Sequence, residues 1–161
     1  MTDDLAPATP PPGSVALTAA GVAHRVVAPG PSSSLEEHAA KLGIPPDHMV
    51  KTIVVRRGDD DVVLVLVPGS RRIDWAKLRA HLGVRRLSLP ERDEAERLTG
   101  YVVGSITPFG AAGDWPVLAD AALTDIETIA LGSGERGVNI VGRTADLVAA
   151  AGAEVVDVTS V

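Results

Sequence analysis

The chain has 161 residues, a formal net charge of −6, no cysteine and only 2 % aromatic residues. That is enough for one domain with its own core, and it excludes disulfides, thiolate metal sites and a cysteine nucleophile. Sparse aromatics and an acidic balance argue against nucleic-acid binding by base stacking or bulk positive charge, and no apolar run approaches the ~18 residues of a membrane span.

Residues 1–13 hold Pro7, Pro10, Pro11, Pro12 and Gly13 and read as a disordered, proline-rich tail. Asp3 and Asp4 stand where a secretory signal would be basic, and no apolar region follows, so a cytoplasmic location is expected. The domain then spans 14–161. Val15 to Ala20 predicts a short helix broken by Gly21, and Val22 to Ala28 a first strand. After a turn at Pro29 to Pro31, Ser32, Ser33 and Ser34 precede Glu36 and Glu37, the hydroxyl cap and acidic first turn of a helix that Gly43 ends. Met49–Arg57 and Val62–Val67 are β-branched runs joined by a hairpin loop at residues 56–61. Asp74 caps a further helix that Gly83 stops. A short strand near Arg85–Leu87, an acidic helix from Pro90 to Leu98 and a glycine-rich loop from Gly100 to Gly113 follow; a loop that long is usually functional. Strands recur at Val117–Ala119, Glu127–Leu131 and Val138–Val141. A helix from Thr144 to Ala151 and a strand from Glu154 to Val158 end the chain. Many short strands with helices that do not alternate strictly predict a single α+β domain, a mixed and mainly antiparallel sheet with helices packed around it.

Lys51 is the anomaly of the second strand. The chain has three lysines, and this one sits between Val50 and Thr52-Ile53 in an otherwise apolar run. A lysine there either lines a cleft or packs its stem while its ammonium reaches water. A second anomaly is charge placement. Arg71, Arg72, Lys77, Arg79, Arg85 and Arg86 fall in one window whose only acid is Asp74. Such a window is either a solvated helix and turn or a contact for a few backbone phosphates, which guanidinium forks suit.

Several motifs are absent or fail. No P-loop or nucleophile-elbow sequence occurs. Gly132-Ser133-Gly134-Glu135-Arg136-Gly137 has the spelling of a dinucleotide fingerprint, but a strand follows it where the fingerprint needs a helix. His24, His38, His48 and His81 have no metal-ligand spacing, so neither a metal nor a cofactor is expected. His38 and His81 read as surface helix residues, whereas His24 and His48 are candidates to border a cleft.

Taken together, Val50-Lys51-Thr52-Ile53-Val54, then Val67-Pro68-Gly69, Leu98 to Gly110, Asp120 and the Gly134-Glu135-Arg136-Gly137 turn resemble the YbaK/ProX family of aminoacyl-tRNA deacylases. The domain of this family also occurs as the editing insertion of bacterial prolyl-tRNA synthetases. The resemblance covers about residues 15–158. It implies hydrolysis of the ester on a tRNA mischarged with a small amino acid such as Ala, Ser, Thr or Cys, a second sieve of the kind needed where side chains are too alike to discriminate once. It places the functional lysine at Lys51 with Thr52 beside it, and the substrate-cupping Gly-x-x-x-Pro loop at Gly104-Ser105-Ile106-Thr107-Pro108. Asp120, Gly134, Gly137 and Asn139 are then expected to shape the substrate site. Lys51 is expected to position the substrate by charge, and water to be the nucleophile. The six basic residues of the 71–86 window would hold tRNA phosphates. The implied partners are aminoacyl-tRNA and a prolyl-tRNA synthetase, with no membrane, acting as a monomer or weak homodimer.

Two positions depart from members of that family that act on cysteine. Pro29 stands where they carry tyrosine, and Asn139 where they carry aspartate. Thr52 replaces the asparagine of alanine-specific members. The identity of the amino acid therefore does not transfer. A module that keeps the cleft but has lost or changed the activity is the alternative expectation.

Overall fold

The strand Asp61–Pro68 is buried over seven consecutive residues, from Val62 to Pro68. Val62, Leu64 and Leu66 face one core and Val63, Val65 and Val67 face another, as a near-continuous β-branched and aliphatic run requires when a strand is covered on both sides. The computed structural model describes residues 7, 9–30 and 32–161. Most of the expected tail (residues 1–6 and 8) and Pro31 of the expected turn lie outside the described residues.

In chain order the elements are α1 (Pro12–Ala19), β1 (Arg25–Val27), α2 (Leu35–Leu42), β2 (Val50–Gly58), β3 (Asp61–Pro68), β4 (Arg72–Ile73), α3 (Trp75–Leu82), α4 (Arg92–Thr99), β5 (Val117–Asp120), β6 (Thr128–Gly132), β7 (Asn139–Arg143), α5 (Thr144–Ala150), β8 (Glu154–Val156) and β9 (Thr159–Ser160). Short 3-10 turns span Pro46–His48 and Ala121–Asp125. One sheet has the order β1-β7-β6, all antiparallel. A second runs β2-β3-β5-β8, with β2 and β3 antiparallel and the β3–β5 and β5–β8 pairs parallel. β4 and β9 pair separately. A single parallel bridge, Met49 with Ala130, joins the start of β2 to β6. This is the mixed α+β domain expected from the sequence.

The caps act where the sequence places them. Ser34 accepts from the Glu37 N–H at the start of α2 and Asp74 from the Lys77 N–H at the start of α3. Gly43 and Gly83 end these helices in the left-handed region, with φ of 73° and 67°. Other boundaries move for identifiable reasons. α1 begins at Pro12, because Gly13 donates to the Ser133 carbonyl at 2.7 Å and has no room for a side chain there. The first strand shrinks to Arg25–Val27, because the Val22 N–H closes α1 on the Leu17 carbonyl. The expected strand at Arg85–Leu87 is only a bridge between Arg56 and Ser88. The last strand divides into β8 and β9, since the Asp120 carboxylate takes the Val158 N–H and Thr159 then pairs with Ile73.

Candidate functional site

β2 is paired with β3 along one edge only. Arg56 exchanges backbone hydrogen bonds with Ser88 on the opposite edge, so its N–H and C=O point away from β3. By the alternation of a strand, those of Thr52 point the same way. Between the Met49–Ala130 bridge and the Arg56–Ser88 bridge no strand is hydrogen-bonded to this edge among the described residues. A cavity of about 350 Å3 opens against it, lined on the β2 side by Met49, Val50, Lys51, Thr52 and Ile53. Lys51 is exposed and forms no ion pair among the described residues. Thr52 is half-buried, and its hydroxyl is buried without a partner.

The far wall is the loop between α4 and β5. Gly104 and Ile106 line the cavity, whereas Ser105 and Thr107 turn inward and are buried. The Ser105 hydroxyl donates to the Val102 carbonyl, and its own carbonyl accepts from the Gly134 N–H. Gly104 has φ 99°, a conformation that favours glycine. The N–H groups of Gly104 and Ile106 have no hydrogen-bond partner among the described residues. As both residues line the cavity, these N–H groups are the candidate donors to a ligand oxygen. Pro108 is half-buried behind this segment. Gly132, on the cavity floor, makes the packing possible: a Cβ there would lie 2.8 Å from the Ile106 carbonyl oxygen and 3.1 Å from that of Ser105.

His38 and Asn139 complete the cavity. The Asn139 Nδ2 donates to the Leu131 carbonyl at 3.1 Å, which leaves its Oδ1 to accept from His38 Nε2. His38 Nδ1 then takes the Ser32 hydroxyl at 3.1 Å. His38 is thus a half-buried cavity residue and not the surface histidine that its helical setting suggests. The other histidines lie elsewhere: His24 bonds Ser14 and the Val22 carbonyl, His48 borders a separate cavity with Asp47 and Arg71, and His81 pairs with Glu154. Arg136, read in the sequence only as part of the Gly134–Gly137 turn, also reaches the site. Its Nε lies 3.7 Å from where a Gly104 Cβ would be, which brings a second cation beside that glycine.

The remaining expected residues divide. Lys51, Thr52, Gly104, Ile106 and Asn139 share the cavity. Asp120 does not line it. Its carboxylate is 2 % exposed and accepts from the Ala122 and Val158 N–H groups, with Arg71 Nε 3.8 Å away. Gly134 (φ 91°) packs beneath Tyr101, where a Cβ would lie 2.7 Å from the ring, and Gly137 (φ 76°) forms the turn before β7. The basic window divides too. Arg71 bonds Thr159 and pairs with Asp120, and Lys77 pairs with Asp157. Arg72 is exposed. Arg79, Arg85 and Arg86 instead meet Arg56 and Arg57 around a cavity of about 360 Å3. Arg56 is matched by Asp59 and Glu94 and Arg57 by Asp61, while the other three form no ion pair among the described residues. Among the described residues no cluster of His, Asp and Glu could hold a metal ion, and no helix is long and apolar enough to cross a membrane.

The geometry can be set beside known proteins. The chain is 30 % identical over 118 residues to the proline–tRNA ligase of Streptococcus thermophilus, a match covering 73 % of this chain and 19 % of the ligase. With the Bacillus cereus proline–tRNA ligase it shares 31 % identity over 115 residues, covering 71 % of this chain and 20 % of that one. The chain thus spans about a fifth of the length of these curated relatives. In structure it resembles the hypothetical protein APE2540, with a TM-score of 0.83, 27 % identity and coverage of 91 % of this chain and 98 % of the other. It also resembles a protein proposed to be a trans-editing enzyme for prolyl tRNA synthetase, with a TM-score of 0.82, 26 % identity and coverage of 92 % and 94 %. Residues 30–150 match the family model described as the aminoacyl-tRNA editing domain. By that match, which takes in the lysine strand, the glycine–proline loop and both walls of the cavity, the chain belongs to the aminoacyl-tRNA editing domain family.

Proposed function

We propose that this protein hydrolyses the ester of mischarged aminoacyl-tRNA in trans, in the cytoplasm. The observation that carries the reading is the juxtaposition of an exposed, unmatched ammonium on β2 with the free N–H groups of Gly104 and Ile106 across one small cavity. An aminoacyl carbonyl oxygen placed against those N–H groups gains preorganised donors as negative charge develops on it. Water attacks the carbonyl carbon, a new C–O bond forms, and the bond to the ribose oxygen breaks. The leaving oxygen takes a proton and becomes the terminal hydroxyl of the tRNA. A neighbouring ribose hydroxyl is well placed to relay that proton. Lys51 holds the adjacent terminal phosphate, a point-charge role that an ammonium suits. Its exposure on the cavity wall leaves the ammonium accessible to such a phosphate.

The arginine cavity supports a backbone contact remote from the reaction. Arg56 is five residues from Lys51 on one strand, about 17 Å at ~3.3 Å per residue, or about five stacked nucleotides at ~3.4 Å each. In this reading Arg79, Arg85 and Arg86 carry acceptor-end phosphates, and Arg71 and Lys77 serve the fold. The prolyl-tRNA synthetase relatives favour that synthetase as the partner in this reading.

The test is a deacylation panel with tRNAs charged with Ala, Ser, Thr and Cys, comparing wild type with Lys51→Ala. Hydrolysis above the protein-free rate for at least one of them is expected, with a loss on the order of 100-fold in kcat/KM for the variant. Since the side chain is exposed, its melting temperature should not move. Binding of charged tRNA without hydrolysis would instead identify a non-catalytic module that has kept the cleft.

A further inference from the structure

The part of the cavity farthest from explanation is its polar wall. Asn139 is 8 % exposed, yet it is an amide among aliphatic neighbours, and its orientation is over-determined. The Leu131 carbonyl takes one Nδ2 hydrogen, and His38 Nε2 donates to Oδ1. His38 is held in turn by Ser32 at its other ring nitrogen. A carboxamide has two donors and two acceptor lone pairs. After these bonds one N–H and one lone pair of Asn139 remain, and the residue lines the cavity. On the β2 wall, Thr52 has a buried hydroxyl with no partner. One χ1 step of ~120° exchanges its methyl and hydroxyl. An unpaired buried polar group carries an uncompensated desolvation cost, so a ligand that partners these groups is favoured over one that does not. A methyl side chain partners neither. A hydroxyl, donor and acceptor at once, can partner either.

We infer that the cavity selects aminoacyl esters whose side chain carries a hydroxyl, serine or threonine in kind, and that His38 is a positioning residue that fixes the Asn139 amide for this recognition. The inference rests on the proposed editing of aminoacyl-tRNA but concerns only which side chain is read. His38 acts through Asn139: the Leu131 carbonyl anchors the amide by one N–H and the His38 Nε2–H holds its oxygen, so with that donor removed the amide is held at one point only and its remaining donor and acceptor lose their fixed direction. Sites that hydrogen-bond a substrate hydroxyl discriminate strongly against the analogue lacking it, whereas sites that only measure size do not.

The experiment measures binding and hydrolysis separately. Binding uses the non-hydrolysable amides 3′-seryl- and 3′-alanyl-amino-3′-deoxyadenosine, titrated against wild type, His38→Phe and His38→Gln. Hydrolysis uses Ser-tRNA and Ala-tRNA on the same three proteins. Wild type is expected to prefer the seryl amide by about tenfold or more. His38→Phe keeps a ring in place but has no donor, and should bring the seryl/alanyl ratio close to one. His38→Gln, which can donate to Asn139 Oδ1, should restore most of the preference. A general loss of stability would weaken both ligands alike and leave the ratio unchanged. The inference is overturned if wild type binds the alanyl amide as tightly as the seryl amide, or if His38→Phe retains the wild-type ratio. A seryl preference in binding with no hydrolysis of either tRNA would sustain the inference and refute the editing reaction. Hydrolysis of both tRNAs at equal kcat/KM would do the reverse.

Discussion

At the scale of single residues, polar groups with similar sequence settings have opposite fates. Lys51 and Asp120 each belong to an otherwise apolar strand, but Lys51 faces the cavity unmatched while Asp120 is consumed by two backbone N–H groups and an arginine. Tyr101 shows how a polar atom stays inside without a functional role. Its ring lies against Gly134, and its hydroxyl donates to the Phe109 carbonyl at 2.7 Å, tying down both ends of the glycine–proline loop. Burial pushes its phenol above the ordinary value. The sign follows from linkage: a tyrosine freed by unfolding ionises near pH ~10, the folded one does so later, and stability therefore falls as pH rises past ~10. Tyr101→Phe should cost about 1 kcal/mol near neutral pH through the lost hydrogen bond and remove this residue's share of the alkaline loss. Urea unfolding of both proteins at neutral and alkaline pH checks it. Because Tyr101 is the only tyrosine, its phenolate absorbance reports directly on the folded-state ionisation.

At the scale of elements, the site depends on how tightly one irregular segment lies on one strand. The segment from residue 100 to 116 has no regular structure, so its shape comes from contacts with β6 and the turn after it. Gly132 permits the closest of these. A methyl group at that position meets two backbone carbonyl oxygens, which cannot rotate away. Gly132→Ala should therefore displace Gly104 and Ile106, costing about 1–3 kcal/mol by overpacking and lowering kcat/KM on the order of 100-fold by misplacing the donors. Gly58→Ala is the matched control, because nothing lies within 4 Å of a Cβ there. Thermal melts with deacylation rates distinguish the two: equal behaviour of both variants would show that the loop is not held by this contact. The ends of α2 and α3, by contrast, are readable in the sequence. Ser34, Asp74, Gly43 and Gly83 act within one turn of chain, and such local chemistry survives without knowledge of the fold.

At the scale of the whole molecule, an acidic protein carries one strongly basic hollow. The 71–86 window reads as a single feature along the chain. Folding separates it, sending Arg71 and Lys77 to the C-terminal segment and gathering Arg79, Arg85 and Arg86 with two arginines of β2. If the hollow contacts phosphates, replacing all three unmatched arginines by alanine should flatten the dependence of log K on log salt by about 2, at ~0.7 per single-strand phosphate. Measuring uncharged tRNA affinity across a salt series tests this without reference to hydrolysis. An unchanged slope would remove the hollow from the nucleic-acid path.

The sequence by itself determined what local chemistry and pattern can encode. That includes the α+β class, the caps of α2 and α3, the hairpin of β2 and β3, the lysine in the strand and the existence of the glycine–proline loop. Only the tertiary structure decided which polar groups meet. His38 and Asn139 are 101 positions apart, and Arg56 is remote in sequence from Arg85. No periodicity or spacing joins such pairs, because what brings them together is the packing of separate elements. The same holds for the free edge of β2. A strand's own residues fix its hydrogen-bonding groups, but whether an edge is covered depends on where every other strand has gone, and here two bridges leave open the stretch that carries Lys51 and Thr52.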